Sequence, residues 1–187
     1  MNKQLTFLLS LTFLFLFSGS VYGQEEVKKE YWDNGKLSSE IHYKNGEQDG
    51  LSTSWYKSGR KEKETHYKDG ELDGLETHWH ENGSKWYEIH NKNGIQDGLE
   101  THWYESGKKK LERHYKNGKQ EGLETNWSET GEKEFESHTK KNGIARWTWY
   151  ESGKKKLERH YKNGNKEGLE TRWSETGEKR VTFNYKN

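Results

Sequence analysis

Histidine recurs in this 187-residue chain as a column. His42, His66, His90, His114, His138 and His160 each stand seven residues after a glycine of the series Gly35, Gly59, Gly83, Gly107, Gly131 and Gly153. His78, His80 and His102 complete a set of nine. Imidazoles at one offset invite a metal, and zinc would need their nitrogens about 2.0–2.1 Å from a single ion. If each repeat supplies two strands, equivalent histidines stand roughly 9–10 Å apart, too far to share one. The column therefore reads as a solvated polar face with a mild pH response, and no metal ligand is assigned.

The other chemistry-bearing residues are equally periodic. Glu100, Glu112 and Glu124 are spread evenly, whereas glycoside hydrolysis needs one cleft with one perturbed carboxylate pair. Ser106 and Ser152 stand beside turn glycines with no His or Asp partner indicated. The glycine-rich turns open no helix that would cradle a phosphate. No catalytic residue and no cofactor is assigned, and the chain is expected not to be an enzyme.

The elements that carry these columns are repeats. The glycine series steps by twenty-four residues, with one step of twenty-two between Gly131 and Gly153, and ends at Gly177. Four residues before each glycine stands an aromatic: Tyr31, Trp55, Trp79, Trp103, Trp127, Trp149 and Trp173. Eight after it comes a second column, Tyr43, Tyr67, Tyr115, Tyr161 and Tyr185, with Asn91 and Thr139 in two units. A further turn element follows, as in Gly46 with Gly50 and Gly118 with Gly122. Sixteen residues, WYESGKKKLERHYKNG, occur verbatim at Trp103–Gly118 and Trp149–Gly164.

Between the turns the chain alternates with period two, the signature of a strand. A three-residue loop Glu105-Ser106-Gly107, a type I turn with a glycine bulge, would pair Thr101 with Leu111. It would gather Leu99, Thr101, Trp103, Leu111 and Tyr115 on one face and leave Glu100, His102, Glu112 and His114 on the other. A two-residue loop would instead set Thr101 opposite Glu112, and the first arrangement separates the faces better. The short step changes length by an even number, so later aromatics keep their face. The expected fold class is all-β, an elongated meander of stacked β-hairpins occupying 31–187, with a short linker at 24–30.

Composition limits the function. Charged residues make up 34% of the chain and apolar ones 27%, a balance that points to disorder unless aromatics compensate; there are nine Trp and eleven Tyr. The net charge of +1 gives no field to capture DNA, RNA or anionic lipid. Cys and Pro are absent, which removes thiol chemistry and fits uninterrupted strand pairing. Residues 1–23, with Lys3 before the apolar run 5–17, read as a secretory signal peptide. Export to periplasm, surface or medium is expected, with no transmembrane segment in the mature chain.

The stretch YKNGKQEGLETNWSETG, Tyr115 to Gly131, resembles the MORN repeat, and the HYKNGxxxG cadence resembles the MORN repeat variant of bacterial proteins often described as YwqK-family antitoxins. The resemblance covers 31–187. It implies stacked hairpins, a binding or scaffolding role and no catalysis. Trp55, Trp79, Trp103, Trp127, Trp149 and Trp173, with Tyr43, Tyr67, Tyr115 and Tyr161, form the candidate ladder, either packing the sheet or offering platforms to a ligand. The leading expectation is an exported scaffold for a protein partner. A cell-envelope glycan or choline binder and an antitoxin-like immunity protein are the alternatives, and a second copy covering the aromatic face stays open.

Overall fold

The structure, a computed structural model, describes residues 23–140 and 143–186; the expected signal peptide lies outside them apart from Gly23. The described residues hold fifteen strands and no helix. The chain divides into two units, Met1–Ile95 and Gln96–Asn187.

In the first unit β1 (Glu25–Tyr31), β2 (Leu37–Lys44), β3 (Glu47–Trp55), β4 (Lys61–Lys68), β5 (Glu71–Trp79) and β6 (Lys85–Lys92) lie side by side in chain order, each antiparallel to the next. The second unit repeats the scheme. Its strands are β7 (Ile95–Trp103), β8 (Lys109–Lys116), β9 (Lys119–Trp127), β10 (Lys133–Lys140), β11 (Gly143–Trp149), β12 (Lys155–Lys162), the pieces β13 (Asn165–Lys166) and β14 (Gly168–Trp173), and β15 (Lys179–Tyr185). Both pieces pair with β12, and β14 then pairs with β15. The fold is the all-β meander that the periodicity predicts. It begins earlier than expected, however. The stretch 24–30, expected as a linker, is mostly β1, because Val27 pairs with His42 and Lys29 reaches Glu40 across the ladder at 2.8 Å.

Two kinds of turn alternate. Asn45-Gly46 and its counterparts have positive φ at both positions, 54° and 87° here, the type I′ geometry whose twist suits a two-residue hairpin. At the opposite edge, the Gly107 amide donates to the Tyr104 carbonyl at 2.8 Å and the Tyr104 amide to the Lys108 carbonyl at 2.9 Å. That is the three-residue loop with a glycine bulge expected from the sequence. These edges are tied from hairpin to hairpin. The Tyr56 hydroxyl donates to the Trp79 carbonyl at 2.6 Å, Tyr104 to Trp127 at 2.8 Å and Tyr150 to Trp173 at 2.9 Å.

The expected register does not form. After the turn, Trp103 pairs with Lys109, but His102 then pairs with Leu111 and Thr101 with Glu112. Lys110 is the extra residue of a bulge that the alternation pattern does not reveal. Residues directly opposite in an antiparallel pair share a face. Leu99, Thr101, Trp103, Glu112 and His114 therefore stand together, and Glu100, His102, Leu111, Arg113 and Tyr115 occupy the other side. Trp and Tyr columns lie on opposite faces, which corrects the single aromatic ladder expected above. The histidine column lies on the tryptophan side.

The short step has a structural cause. In β3, β5 and β9, two more residues lie between paired points than in the preceding strand; in β9 they are Gly122 and Leu123. Between β10 and β11 the register is unbroken. β11 thus lacks the two-residue bulge, and the pairing beyond it resumes, with Trp149 opposite Lys155. Among the described residues no hydrophobic side chain is fully buried; the buried set is Thr, Ser and Glu.

Gly143 opens β11 at φ 156°, and a Cβ built there would stand 2.3 Å from the Tyr161 carbonyl oxygen. Gly107, at φ 83°, has open space around it. Gly107→Ala should therefore cost only the left-handed backbone term, about 1–2 kcal/mol. Gly143→Ala should cost more, because the strand must move. Urea unfolding followed by tryptophan emission orders the two, and equal costs would contradict the close approach.

Candidate functional site

The tryptophan face is built from rows that cross the strands. Glu64 stands between Thr53 and Thr77, and Glu112 between Thr101 and Thr125. Those threonines are buried. Each such glutamate takes an ion pair from the lysine three residues earlier: Lys61 with Glu64, Lys85 with Glu88, Lys109 with Glu112, Lys133 with Glu136 at 2.6 Å and Lys155 with Glu158 at 3.4 Å. The same ammonium rides over a tryptophan ring one hairpin on. Lys61 lies 5.7 Å from the Trp79 ring centre, Lys109 5.9 Å from Trp127, Lys133 5.1 Å from Trp149 and Lys155 5.3 Å from Trp173. Each contact contributes about 0.5–1 kcal/mol at an exposed site. Trp55 and Trp103 occupy the same column, opposite Lys61 and Lys109.

The tyrosine face has its own cations. Lys28 covers Tyr43 at 4.4 Å, Arg113 covers Tyr115 at 5.3 Å and Arg146 covers Tyr161 at 5.0 Å. Tyr67 pairs with Gly50 and Leu72. The ten ladder residues are therefore divided, six tryptophans against four tyrosines, and do not form one platform. The histidines of the column stand beside leucine on the tryptophan side, as in Leu51 with His66 and Leu123 with His138, whereas His78 and His102 meet Glu76 and Glu100 on the tyrosine face. No group of three or more metal-ligating side chains converges among the described residues.

What sequence reasoning missed is a set of buried carboxylates on the tyrosine face. Glu100 is 4% exposed and Glu170 1%. Burial pushes the Glu100 carboxyl up, but hydrogen bonds from His102 at 2.6 Å, Arg113 at 2.7 Å and Gln96 at 2.6 Å outweigh it and hold the group at about 2. The Arg159 guanidinium, at 2.8 Å, is the main reason that Glu170 also lies at about 2, against burial and with help from Arg172 and Lys166. Glu76 is held at about 2 chiefly by His78 at 2.7 Å, with burial opposing and Lys63 at 3.0 Å assisting. The even spacing of glutamates concealed two populations on opposite faces. The signal that separates them is Arg113 and Arg159, one residue beyond Glu112 and Glu158 and therefore on the other side of the sheet. Each of these carboxylates is held by two or three partners of its own, so their chemistry is cohesion, although the buried Arg113 Nε lacks a hydrogen-bond partner among the described residues.

A family model described as MORN repeat variant matches residues 27–45, 48–69, 72–93, 96–117, 148–163 and 166–187. The matches leave out 118–147, which contains the transition into the short step. No curated protein matches the chain.

A carboxyl whose folded pKa lies below its unfolded value near 4.5 stabilises the fold fully above that value. The contribution is lost as pH falls towards about 2 for Glu76, Glu100 and Glu170. Unfolding free energy should be level above about pH 5 and decline from there to about pH 2. Glu170→Gln should cost on the order of 2–3 kcal/mol at pH 7, where it strands Arg159 and Arg172, and much less at pH 2. Urea titrations across this range test both statements; a pH-independent cost for the variant would contradict the assignment.

Proposed function

The chain belongs to the MORN repeat variant family, and from that premise we propose that it is an exported binding protein that holds a protein partner against the exposed surface of its hairpins. MORN repeats are repeat modules for binding proteins or membrane surfaces. The net charge of +1 supplies no excess of cations for an anionic bilayer, which favours a protein.

One observation carries the reading. The verbatim blocks Trp103–Gly118 and Trp149–Gly164 adopt the same local structure: Tyr104 and Tyr150 close identical turns and donate to the carbonyls of Trp127 and Trp173. Identical turn-and-strand blocks presented more than once suit a partner gripped at several points, where linkage multiplies affinity without new contacts. The choline or glycan reading loses ground on the same structure. Four tryptophan rings already carry a lysine ammonium that is itself paired with glutamate. A quaternary ammonium ligand would have to displace a bound cation at each.

Crosslinking of the mature chain in its native host should recover a defined protein that excess uncrosslinked chain competes away. Recovery of background alone would overturn the proposal. Choline and glycan fragments at millimolar concentration should leave tryptophan emission unchanged; a saturable change would restore the aromatic-platform reading.

A further inference from the structure

The break in the period creates a site that the other described registers of the chain do not show. Without the two-residue bulge, Ala145 is flanked directly by two members of the histidine column: it pairs with His138 on one side and His160 on the other. In the regular hairpins this position is leucine, at Leu51, Leu75, Leu99, Leu123 and Leu169, and where the bulge intervenes the preceding histidine is not its ladder partner: His114 pairs with Glu121, and the His66 ring instead bonds the Leu75 carbonyl at 2.8 Å. Replacing leucine by alanine and removing the bulge leave a hollow of about 400 Å³ between the two imidazoles, within the size range of ligand sites. Its wall includes Trp147, which stands where other units have the buried threonine. Trp147 pairs with Glu136 and Glu158, and both carboxylates are taken by Lys133 and Lys155.

Charge selects the occupant. Lys140 and Lys162 line the hollow, and Glu167, 3.4 Å from Lys162, is the single carboxylate among the residues that line it. An indole and two imidazoles offer ring faces and edges to a further aromatic side chain. Resting on the proposed protein-binding function, we propose that this hollow seats an aromatic side chain of the partner, carried on an acidic peptide segment whose carboxylates meet Lys140 and Lys162. It would be the anchor of the interface, a large side chain seated in this hollow of the face, while the repeated hairpins supply the surrounding contacts. The repeats then give breadth, and the irregular hairpin fixes which part of the partner lies where.

The test uses the blocked peptide acetyl-Glu-Phe-Glu-amide, with the lysine-flanked and alanine-centred versions as controls, titrated into the purified protein and followed by NMR. The His138 and His160 imidazole protons and the Trp147 indole proton should shift and saturate with the acidic aromatic peptide, and not with either control. Ala145→Leu restores the residue of the regular hairpins, so it should keep or raise the melting temperature while weakening the peptide at least tenfold. Ala145→Gly should keep binding, and Lys140→Glu, at an exposed position, should weaken it and flatten its salt dependence. Equal shifts at His66 and His114, or wild-type affinity in both Ala145→Leu and Lys140→Glu, would overturn the proposal. The two levels fail separately. A partner captured equally by wild type and Ala145→Leu removes the hollow and leaves the wider reading, whereas a wild type that captures nothing removes the wider reading while the peptide still decides on the hollow.

Discussion

A sheet one layer thick gives its side chains no opposing layer to pack against. In each unit of this protein the strands have only their neighbours, and everything that holds hairpins together must act across a strand or along an edge. That constraint accounts for the composition. Leucine and valine would face water on either side, whereas threonine between two glutamates keeps its hydroxyl among polar neighbours and its methyl beneath the longer stems. Thr53, Thr77, Thr101, Thr125 and Thr171 are accordingly buried, together with Thr65, Ser137, Ser174, Glu100 and Glu170, and among the described residues no apolar side chain joins them. The high charge content that would otherwise indicate disorder is organised into rows.

Such rows couple two kinds of contact in one residue set. A lysine such as Lys109 pairs with Glu112 and lies over Trp127 in the next hairpin, so the ion pair and the ring contact share one side chain's ordering cost. An isolated exposed pair contributes little; here the second contact comes at small further loss of freedom. On the other face Arg159, Arg172 and Lys166 converge on Glu170, and removal of one partner leaves a buried charge only partly compensated. Stacking thus proceeds by identical joints, consistent with a chain that could lengthen by copying a block.

The period, the turn types and the strand parity were legible in the sequence, because glycine and asparagine positions are fixed by backbone φ and alternation by the pleat. The faces were not. The bulge at Lys110 follows a correctly read turn and shifts Thr101 from Leu111 to Glu112, and a pattern of lysines carries no mark of which one is extra. From that one residue follow the separation of Trp and Tyr columns and the placement of His114 beside Leu99. Glu100 and Glu170 escaped notice for the same reason: on the expected face they would have been solvated. The short step was visible as a length change, but its consequence, two histidines facing one alanine, depends on knowing that the missing residues are a bulge.

The central claim is that polar rows, and not an apolar core, hold the units together. Heat capacity measures this directly, since unfolding raises it in proportion to the apolar surface released and lowers it for polar surface. Ordinary globular domains give about 12–15 cal/mol/K per residue. Differential scanning calorimetry of the purified protein should give a value well below that range. A value within it would show that folding buries as much apolar surface as a conventional core does, and would contradict the account.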